Sequence, residues 1–241
     1  MVVKFASEFE KAGKTYLELG GWKGLKSGNW LLQLIPRSFK AYHDRANADY
    51  FRAKYPDSDN DTIAGRLTSV AARNAGLLGV AVGATVSIDE IVGAVTAGEG
   101  GVGIPGNVAV ALAAIGGETI LLAQIQLQLV ANLARIYGVT LDPDDPEDIL
   151  FILAFAVGGT LAQEAGMMAA EIGATLTESL GRKVGVKLLE KTIAKYAVPG
   201  VSMAIGWGWN YVATKKLGKI ARKHFLKRAA ERSPHPVIES A

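Results

Sequence analysis

The sequence predicts an all-α protein, a single multi-helix domain whose central helices are apolar, rich in glycine and alanine, and closely packed. No segment alternates apolar and polar residues as a half-exposed strand does, and the long apolar stretches have helical length and period. Small residues also recur at Gly76, Gly79 and Gly83, a spacing that lets helices approach closely. Each glycine costs a helix about 1 kcal/mol, so this density needs a packing reason.

Charge divides the chain into three parts. Residues 1–55 hold 10 Lys/Arg against 5 Asp/Glu, residues 56–181 hold 3 against 15, and residues 182–232 hold 13 against 2. Two basic ends flanking an acidic middle indicate a polyanionic or anionic-membrane partner, or docking of basic parts on acidic ones. We divide the chain into a basic, aromatic N-terminal helical segment (1–56), a main helical domain (57–232) and a flexible tail (233–241).

The N-terminal segment predicts two helices. Phe5–Leu19 has the pattern of a short amphipathic helix, which the glycines from Gly20 to Gly28 interrupt. A compact apolar run then ends at Pro36, and Arg37–Tyr55 is predicted to be a basic helix.

A third helix begins after the polar loop Asp57–Thr62. That loop supplies an N-cap, so the helix is expected to start near Asp61 and to continue toward Val95.

The chain is organised around Gly100–Gly138, in which only Glu118 and Arg135 are charged. A Gly/Pro-rich opening leads into an apolar helix that Gly138 ends as a C-cap. The polar residues from Thr119 onward form one narrow stripe, with only Gln126 on the opposite side. We predict a central core helix with these cavity-lining residues: Glu118, Gln124, Gln128 and Asn132.

The uncharged runs of the chain are Gly100–Gly117, Thr119–Ala134 and Tyr196–Thr214. A helix that spans a membrane needs about 20 consecutive apolar residues, and each run is interrupted by proline, glycine or amide side chains. We therefore favour a soluble or peripheral protein with an unusually apolar core over one that is inserted in the bilayer.

An acidic turn at 142–148 precedes another apolar helix, which starts at Ile149 and carries Glu164, Glu171 and Glu178. Spacings of seven place these acids about 10 Å apart, too far for one metal ion. A solvated face or a docking strip for the basic segments is the preferred interpretation. Asp89 and Glu90, like Glu118, lie in apolar surroundings, where helix ends or polar pockets explain such acids better than catalysis does.

The basic C-terminal end is the candidate membrane-binding surface. Lys183–Tyr196 is predicted to be a basic amphipathic helix, and Val201–Glu231 joins an apolar, tryptophan-bearing half to a basic half. Basic residues cluster on one side of this last helix, a pattern that suits anionic lipid, with tryptophans as interfacial anchors. The alternative is a solvated helix packed on its own core. The expected membrane-binding residues are Trp207, Trp209, Lys215, Lys216, Lys219, Arg222, Lys223 and Lys227.

Two blocks resemble a known family. The apolar helix that ends in Ala-Arg-Ile-Tyr-Gly (134–138), with its acidic turn (141–148), resembles the EcsC family of bacterial proteins. The segment with Val198-Pro199-Gly200, Gly206, Asn210-Tyr211 and Ile220-Ala221-Arg222 is similar to the closing segment of that family, although the family usually has Pro-Val-Val-Gly at residues 199–202. The resemblance covers roughly residues 60–230. It implies a membrane-linked bacterial role beside a membrane ABC transporter and carries no catalytic residues over.

Several site classes are not expected. Cysteine is absent, His43, His224 and His235 are scattered, and neither a Gly-Lys-Ser/Thr loop nor a Gly-x-Ser-x-Gly motif occurs. We therefore expect no metal site and no cofactor. The basic ends carry no nucleic-acid-reading motif, so nucleic acid is not an expected partner. The N-terminus lacks the apolar region of a secretory signal, so a cytoplasmic location is the default.

These observations favour a non-enzymatic, peripheral membrane protein that binds anionic lipid surfaces and holds lipid or another apolar ligand in its helical core. It is expected at the cytoplasmic face of the bacterial membrane, with a membrane transporter as a further candidate partner. Two alternatives stay open: a homo-oligomeric scaffold or interaction module, and a hydrolase that uses a buried acid such as Glu118.

Overall fold

The computed structural model of this protein describes residues 2–43, 48–83, 106–142, 145, 148, 174–195 and 202–232. These residues form eight helices and no strand, which confirms the all-α fold class. In chain order the helices are α1 (Val2–Glu18), α2 (Gly21–Ser27), α3 (Asn29–His43), α4 (Ala48–Lys54), α5 (Asn60–Gly83), α6 (Gly106–Ile136), α7 (Ala174–Ala194) and α8 (Ser202–Arg232).

Several predicted features lie outside the described residues. Glu178 falls within α7, and only three residues of the acidic turn (Asp142, Asp145 and Asp148) are described. The features outside are Asp89, Glu90, Glu164, Glu171, His235, the Gly/Pro-rich opening before Gly106, most of the helix from Ile149, the interruption at 198–200 and the tail 233–241.

Two boundary predictions in the N-terminal segment are wrong. The glycine-rich stretch forms a short helix, α2, and Pro36 lies inside α3 instead of ending a segment. Proline in a helix removes only one backbone hydrogen bond, although at a cost of about 3 kcal/mol. Burial of one face of α3, including the fully buried Trp30 and Ile35, offsets that cost.

The ends of the central helices follow the predicted caps. The Asp59 carboxylate accepts a hydrogen bond of 2.6 Å from the Thr62 backbone N–H, so the polar loop caps α5. At the end of α6, Gly138 adopts φ 69°, and the Val139 N–H donates to the Ala134 carbonyl at 2.8 Å. This is the glycine C-cap that the sequence predicts.

Helix α6 is the centre of the fold, as predicted, because it packs against each of the other seven described helices. The core around it is continuous and includes Trp30 from the N-terminal segment as well as Leu78, Ile115 and Phe225 from the main domain. The packing therefore does not separate the two parts that the sequence divides at residue 56.

Among the described residues, one stretch of α6, Ala109–Ile136, is long and apolar enough to cross a membrane. The most apolar window of this stretch is 72% buried inside the protein. A central core helix passes the same test of length and composition, so the finding is weak evidence for insertion.

Close contact between α5 and α8 explains the glycines that the sequence places in α5. A Cβ on Gly79 would lie 2.2 Å from the Gly206 carbonyl oxygen, and a Cβ on Gly206 would lie 2.6 Å from the Gly79 carbonyl oxygen. The two helices run antiparallel, because Trp207 covers Gly76 and Gly218 contacts Thr68 further along. The two helices therefore lie close together over several turns, and their backbones touch at Gly79 and Gly206, which only small residues permit.

Gly79→Ala is expected to destabilise the protein by about 1–3 kcal/mol, because its methyl group would force the backbones of α5 and α8 apart. Gly65→Ala is the matched control in the same helix, since nothing lies within 4 Å of a Cβ at that position. This control should gain about 0.5–1 kcal/mol from helix propensity. Urea unfolding measures both free energies, and equal effects of the two substitutions would contradict the packing argument.

Candidate functional site

A buried charged cluster joins side chains from three parts of the chain. Glu118 on α6, Lys195 just after α7 and Asn210 on α8 are 0%, 2% and 1% exposed. The Lys195 ammonium group donates to the Glu118 carboxylate and, at 3.1 Å, to the Asn210 Oδ1. The Asn210 Nδ2 in turn donates to the Glu118 Oε1 at 2.8 Å. The three side chains thus form a closed ring of hydrogen bonds that ties three helices together.

Burial and the neighbouring carboxylate have opposite effects on the pKa of Lys195. Burial lowers the pKa of the Lys195 ammonium group below its usual range, and the adjacent Glu118 carboxylate counteracts part of that shift. The cluster also touches the contact between α5 and α8, because a Cβ on Gly79 would lie 2.9 Å from the Asn210 Nδ2. The glycine therefore leaves the space in which the asparagine amide reaches the ion pair.

The predicted cavity-lining stripe of α6 is not on its inner side. Gln128 is exposed, and Gln124 and Asn132 are partly buried. By contrast Gln126, on the opposite side of the helix, is buried and donates to the Thr214 hydroxyl at 3.3 Å. Gln124, Gln128 and Asn132 therefore share one side of α6, as the spacing predicts, but that side is the more exposed one. The broader apolar face of α6 is buried in the core instead.

Arg222, one of the predicted membrane-binding residues, forms an ion pair within the protein. Its guanidinium group donates to both Asp61 carboxylate oxygens, at 2.9 Å through Nε. The Tyr137 hydroxyl donates to the same carboxylate. These bonds from Arg222 and Tyr137 hold the pKa of Asp61 below its usual range, and burial together with Asp61 raises the pKa of Tyr137. This half-buried ion pair joins α5, the end of α6 and α8.

A second ion pair fixes the acidic turn to α8. Arg228 donates to the Asp148 Oδ1 at 2.9 Å, and the other carboxylate oxygen accepts from the Asp142 backbone N–H at 2.8 Å. His224 lies one turn earlier on α8, and burial, reinforced by the charge of Arg228, lowers its pKa to about 4. The imidazole is therefore neutral in the folded protein at pH 7.

The outward side of α8 carries an exposed stripe at helical spacing, which we name the α8 outer face: Trp209, Val212, Lys216, Lys219, Lys223 and Lys227. Trp209 and Val212 are 49% and 62% exposed, although both are apolar. The opposite side of α8 holds the buried Leu217, Ala221 and Phe225. The predicted division into a basic side and a core side is therefore present in the structure.

Two other predicted membrane-binding residues, Trp207 and Lys215, lie outside this stripe. Trp207 packs over Gly76, is 41% exposed and stacks on Tyr211 with ring centroids 4.8 Å apart. Lys215 donates to the Tyr211 hydroxyl at 3.3 Å and lies 5.4 Å from the centre of that ring. Both side chains contact other side chains of the protein. Lys215 lies at the edge of the α8 outer face, whereas Trp207 lies on the side of α8 that packs against α5.

A cleft lies between α2 and α7, where Trp22, Lys26, Leu189, Glu190 and Ile193 line a volume of about 170 Å³. This volume is about six times the roughly 30 Å³ that a water molecule occupies in the liquid, and the cleft opens to solvent. It is not the interior cavity that the sequence suggested. Within the described residues no group of three or more His, Cys, Asp or Glu side chains could hold a metal ion.

No family model, curated protein or solved structure matches this chain. The resemblance to the EcsC family therefore stays a prediction.

Lys195→Met is expected to cost about 3–5 kcal/mol, because it leaves the buried Glu118 carboxylate without its ammonium partner. Adding Glu118→Gln should restore most of that loss, since the double variant buries no charge. Urea unfolding of both variants tests the coupling, and the double variant serves even if Lys195→Met does not fold. Independent, additive costs would refute a mutual ion pair.

His224 is expected to make the protein less stable in mild acid. Because its pKa falls to about 4 on folding from an ordinary value of 6.5, the unfolded chain binds the additional proton between those pH values. Stability should therefore fall as the pH drops from 7 to 5, by about 1 kcal/mol from this residue once solvent screening is allowed for. His224→Gln should reduce the pH dependence of the urea midpoint, and an unchanged slope would contradict this assignment.

Proposed function

We propose that this protein attaches peripherally to anionic membranes through the α8 outer face. The observation that carries the proposal is the exposed stripe in which Trp209 and Val212 precede four lysines on one side of a helix. Its opposite side is anchored in the core. A soluble helix needs neither the exposed tryptophan nor the run of lysines, whereas a membrane interface uses both.

The expected binding energies indicate that membrane attachment needs both the lysines and the apolar side chains of the α8 outer face. A lysine near an anionic surface contributes about 1 kcal/mol, so the four lysines contribute at most about 4 kcal/mol, which corresponds to millimolar affinity. Lys227 contributes less than the others, because it is paired with Glu231 at 3.8 Å. Full burial of a large apolar side chain contributes about 1.5–3 kcal/mol. Partial burial of Trp209 and Val212 in the interface therefore adds less than this for each side chain. Together they support reversible attachment, weaker than insertion of a helix across the bilayer.

The resemblance to the EcsC family supports the same proposal, since it implies a membrane-linked bacterial role. We extend the proposal to the cytoplasmic leaflet of the bacterial membrane, which presents anionic lipid. We do not extend it to a lipid held in the core, because α5 and α8 touch through their backbones and α6 is closely surrounded. We also propose no hydrolysis by Glu118, whose carboxylate is engaged by Lys195 and Asn210.

Vesicle flotation tests the proposal. Wild type should bind vesicles with anionic lipid at low salt, less strongly at high salt, and bind zwitterionic vesicles weakly. Lys219→Gln with Lys223→Gln should weaken binding by about 30-fold, the equivalent of about 2 kcal/mol. Trp209→Ala should weaken binding at every salt concentration, because its contribution is not screened.

The matched control is Lys11→Gln with Lys14→Gln, which removes the same charge from α1, where both lysines are exposed and paired with Glu8 and Glu10. This variant should bind like wild type. Absence of wild-type binding at low salt would refute the proposal, and equal weakening by the two double variants would show that only net charge matters.

A further inference from the structure

The cleft between α2 and α7 opens beside a close contact of the two backbones. Gly28, the residue that ends α2, lies against Gly185 of α7, where an added Cβ would be 2.9 Å from the Gly28 Cα. The cleft begins beyond this contact, and Trp22 and Lys26 of α2 line it together with residues 186–193 of α7. The fold therefore sets the spacing of the two walls.

Helical spacing gives each wall of the cleft its chemistry. Trp22 and Lys26 are four residues apart, so they leave α2 on the same side. On α7, Val186, Leu189 and Ile193 repeat at intervals of three and four residues and form an apolar wall. Leu189 belongs to the core, and Trp22 and Ile193 pack against it. The apolar interior of the cleft is therefore anchored in the folded structure.

Two exposed groups of opposite charge lie on the facing walls of this apolar cleft. Lys26 comes from α2 and Glu190 from α7, and both residues are exposed. In the part of the chain that the structure describes, neither side chain forms a hydrogen bond or an ion pair with another residue. The cleft therefore offers one cationic and one anionic group beside an apolar surface.

We propose that this cleft binds a free amino acid with an apolar side chain, and an aromatic one in preference. Its volume of about 170 Å³ is similar to the roughly 150 Å³ of a protein cavity that accepts benzene, so a phenyl-sized side chain fits. The Trp22 ring offers that side chain an aromatic contact. The carboxylate of the ligand pairs with Lys26, and its ammonium group pairs with Glu190.

Other apolar ligands match the charges of the cleft less well. A hydrocarbon or an acyl chain fills the apolar space but leaves both charged groups without a partner. An aromatic acid or an aromatic amine pairs with one of them and meets a group of its own charge on the other wall. A zwitterion pairs with both, so the two charges select for a ligand that carries both signs.

This inference is separate from membrane attachment, because none of the residues that line the cleft belongs to the α8 outer face. It also gives the N-terminal segment a role in ligand binding, since α2 supplies one wall of the cleft and α7 of the main domain supplies the other.

Titration calorimetry with three ligands that share one apolar body tests the proposal. The ligands are phenylalanine, phenylpropionate, which lacks the ammonium group, and phenethylamine, which lacks the carboxylate. Phenylalanine should bind in the millimolar range, as expected for a small ligand in a cleft that opens to solvent. Each of the other two should bind about fivefold more weakly, the effect of one exposed ion pair.

Single substitutions assign each charge of the ligand to its partner. Lys26→Gln should bind phenylalanine and phenethylamine equally, because the carboxylate has lost its partner. Glu190→Gln should bind phenylalanine and phenylpropionate equally, because the ammonium group has lost its partner. Lys23→Gln is the matched control, since Lys23 is an exposed lysine of α2 that does not line the cleft. This control should keep the preferences of wild type.

Three outcomes would overturn the proposal: no heat of binding with phenylalanine at millimolar concentrations, equal binding of the three ligands to wild type, or equal effects of Lys26→Gln and Lys23→Gln. Each of these outcomes leaves the proposed function standing, because vesicle flotation tests that function with variants of α8.

Discussion

The backbones of α5 and α8 touch at Gly79 and Gly206, and the positions of the charged side chains on α8 follow from that contact. With a larger residue at either position the helices would separate, and Asn210 would withdraw from Glu118 and Lys195. The same contact sets the register along α8, so that Arg222 meets Asp61 four turns later. Since the inner side of α8 is fixed in this way, its lysines and Trp209 are left on the outer side.

The buried ion pair between Glu118 and Lys195 fixes how the helices are aligned with one another more than it stabilises the fold. Removing two charges from water costs several kcal/mol per ion, and their attraction offsets this only with good geometry and additional hydrogen bonds. Asn210 supplies such bonds to both partners. A shift of α7 or α8 by one turn would leave Glu118 buried without these partners. The pair therefore disfavours alternative packings of helices whose glycine-rich surfaces would otherwise slide past one another.

Local patterns predict the helices and caps, but not the pairs that join distant helices. Glu118 stands out in sequence because its surroundings are apolar, whereas Lys195 lies among similar lysines 77 residues away. One signal was available: Lys195 follows Leu188 by seven residues and so falls on the apolar side of α7. The break predicted at Pro36 is wrong, because burial of one face of α3 outweighs the tendency of proline to interrupt a helix. The sequence predicts the polar stripe on α6, but a helix that is apolar on most of its surface gives no signal for which side is innermost.

The closed ring of Glu118, Lys195 and Asn210 also constrains how this protein can diverge. Neither charged residue can be replaced alone without leaving the other buried and uncompensated, so the two positions must change together or through a neutral intermediate. Gly79 is linked to them, because a larger residue there would meet the asparagine amide. We therefore expect relatives of this chain to keep all four of these residues together: Gly79, Glu118, Lys195 and Asn210. The exposed lysines of α8 can change position as long as that side of the helix stays basic.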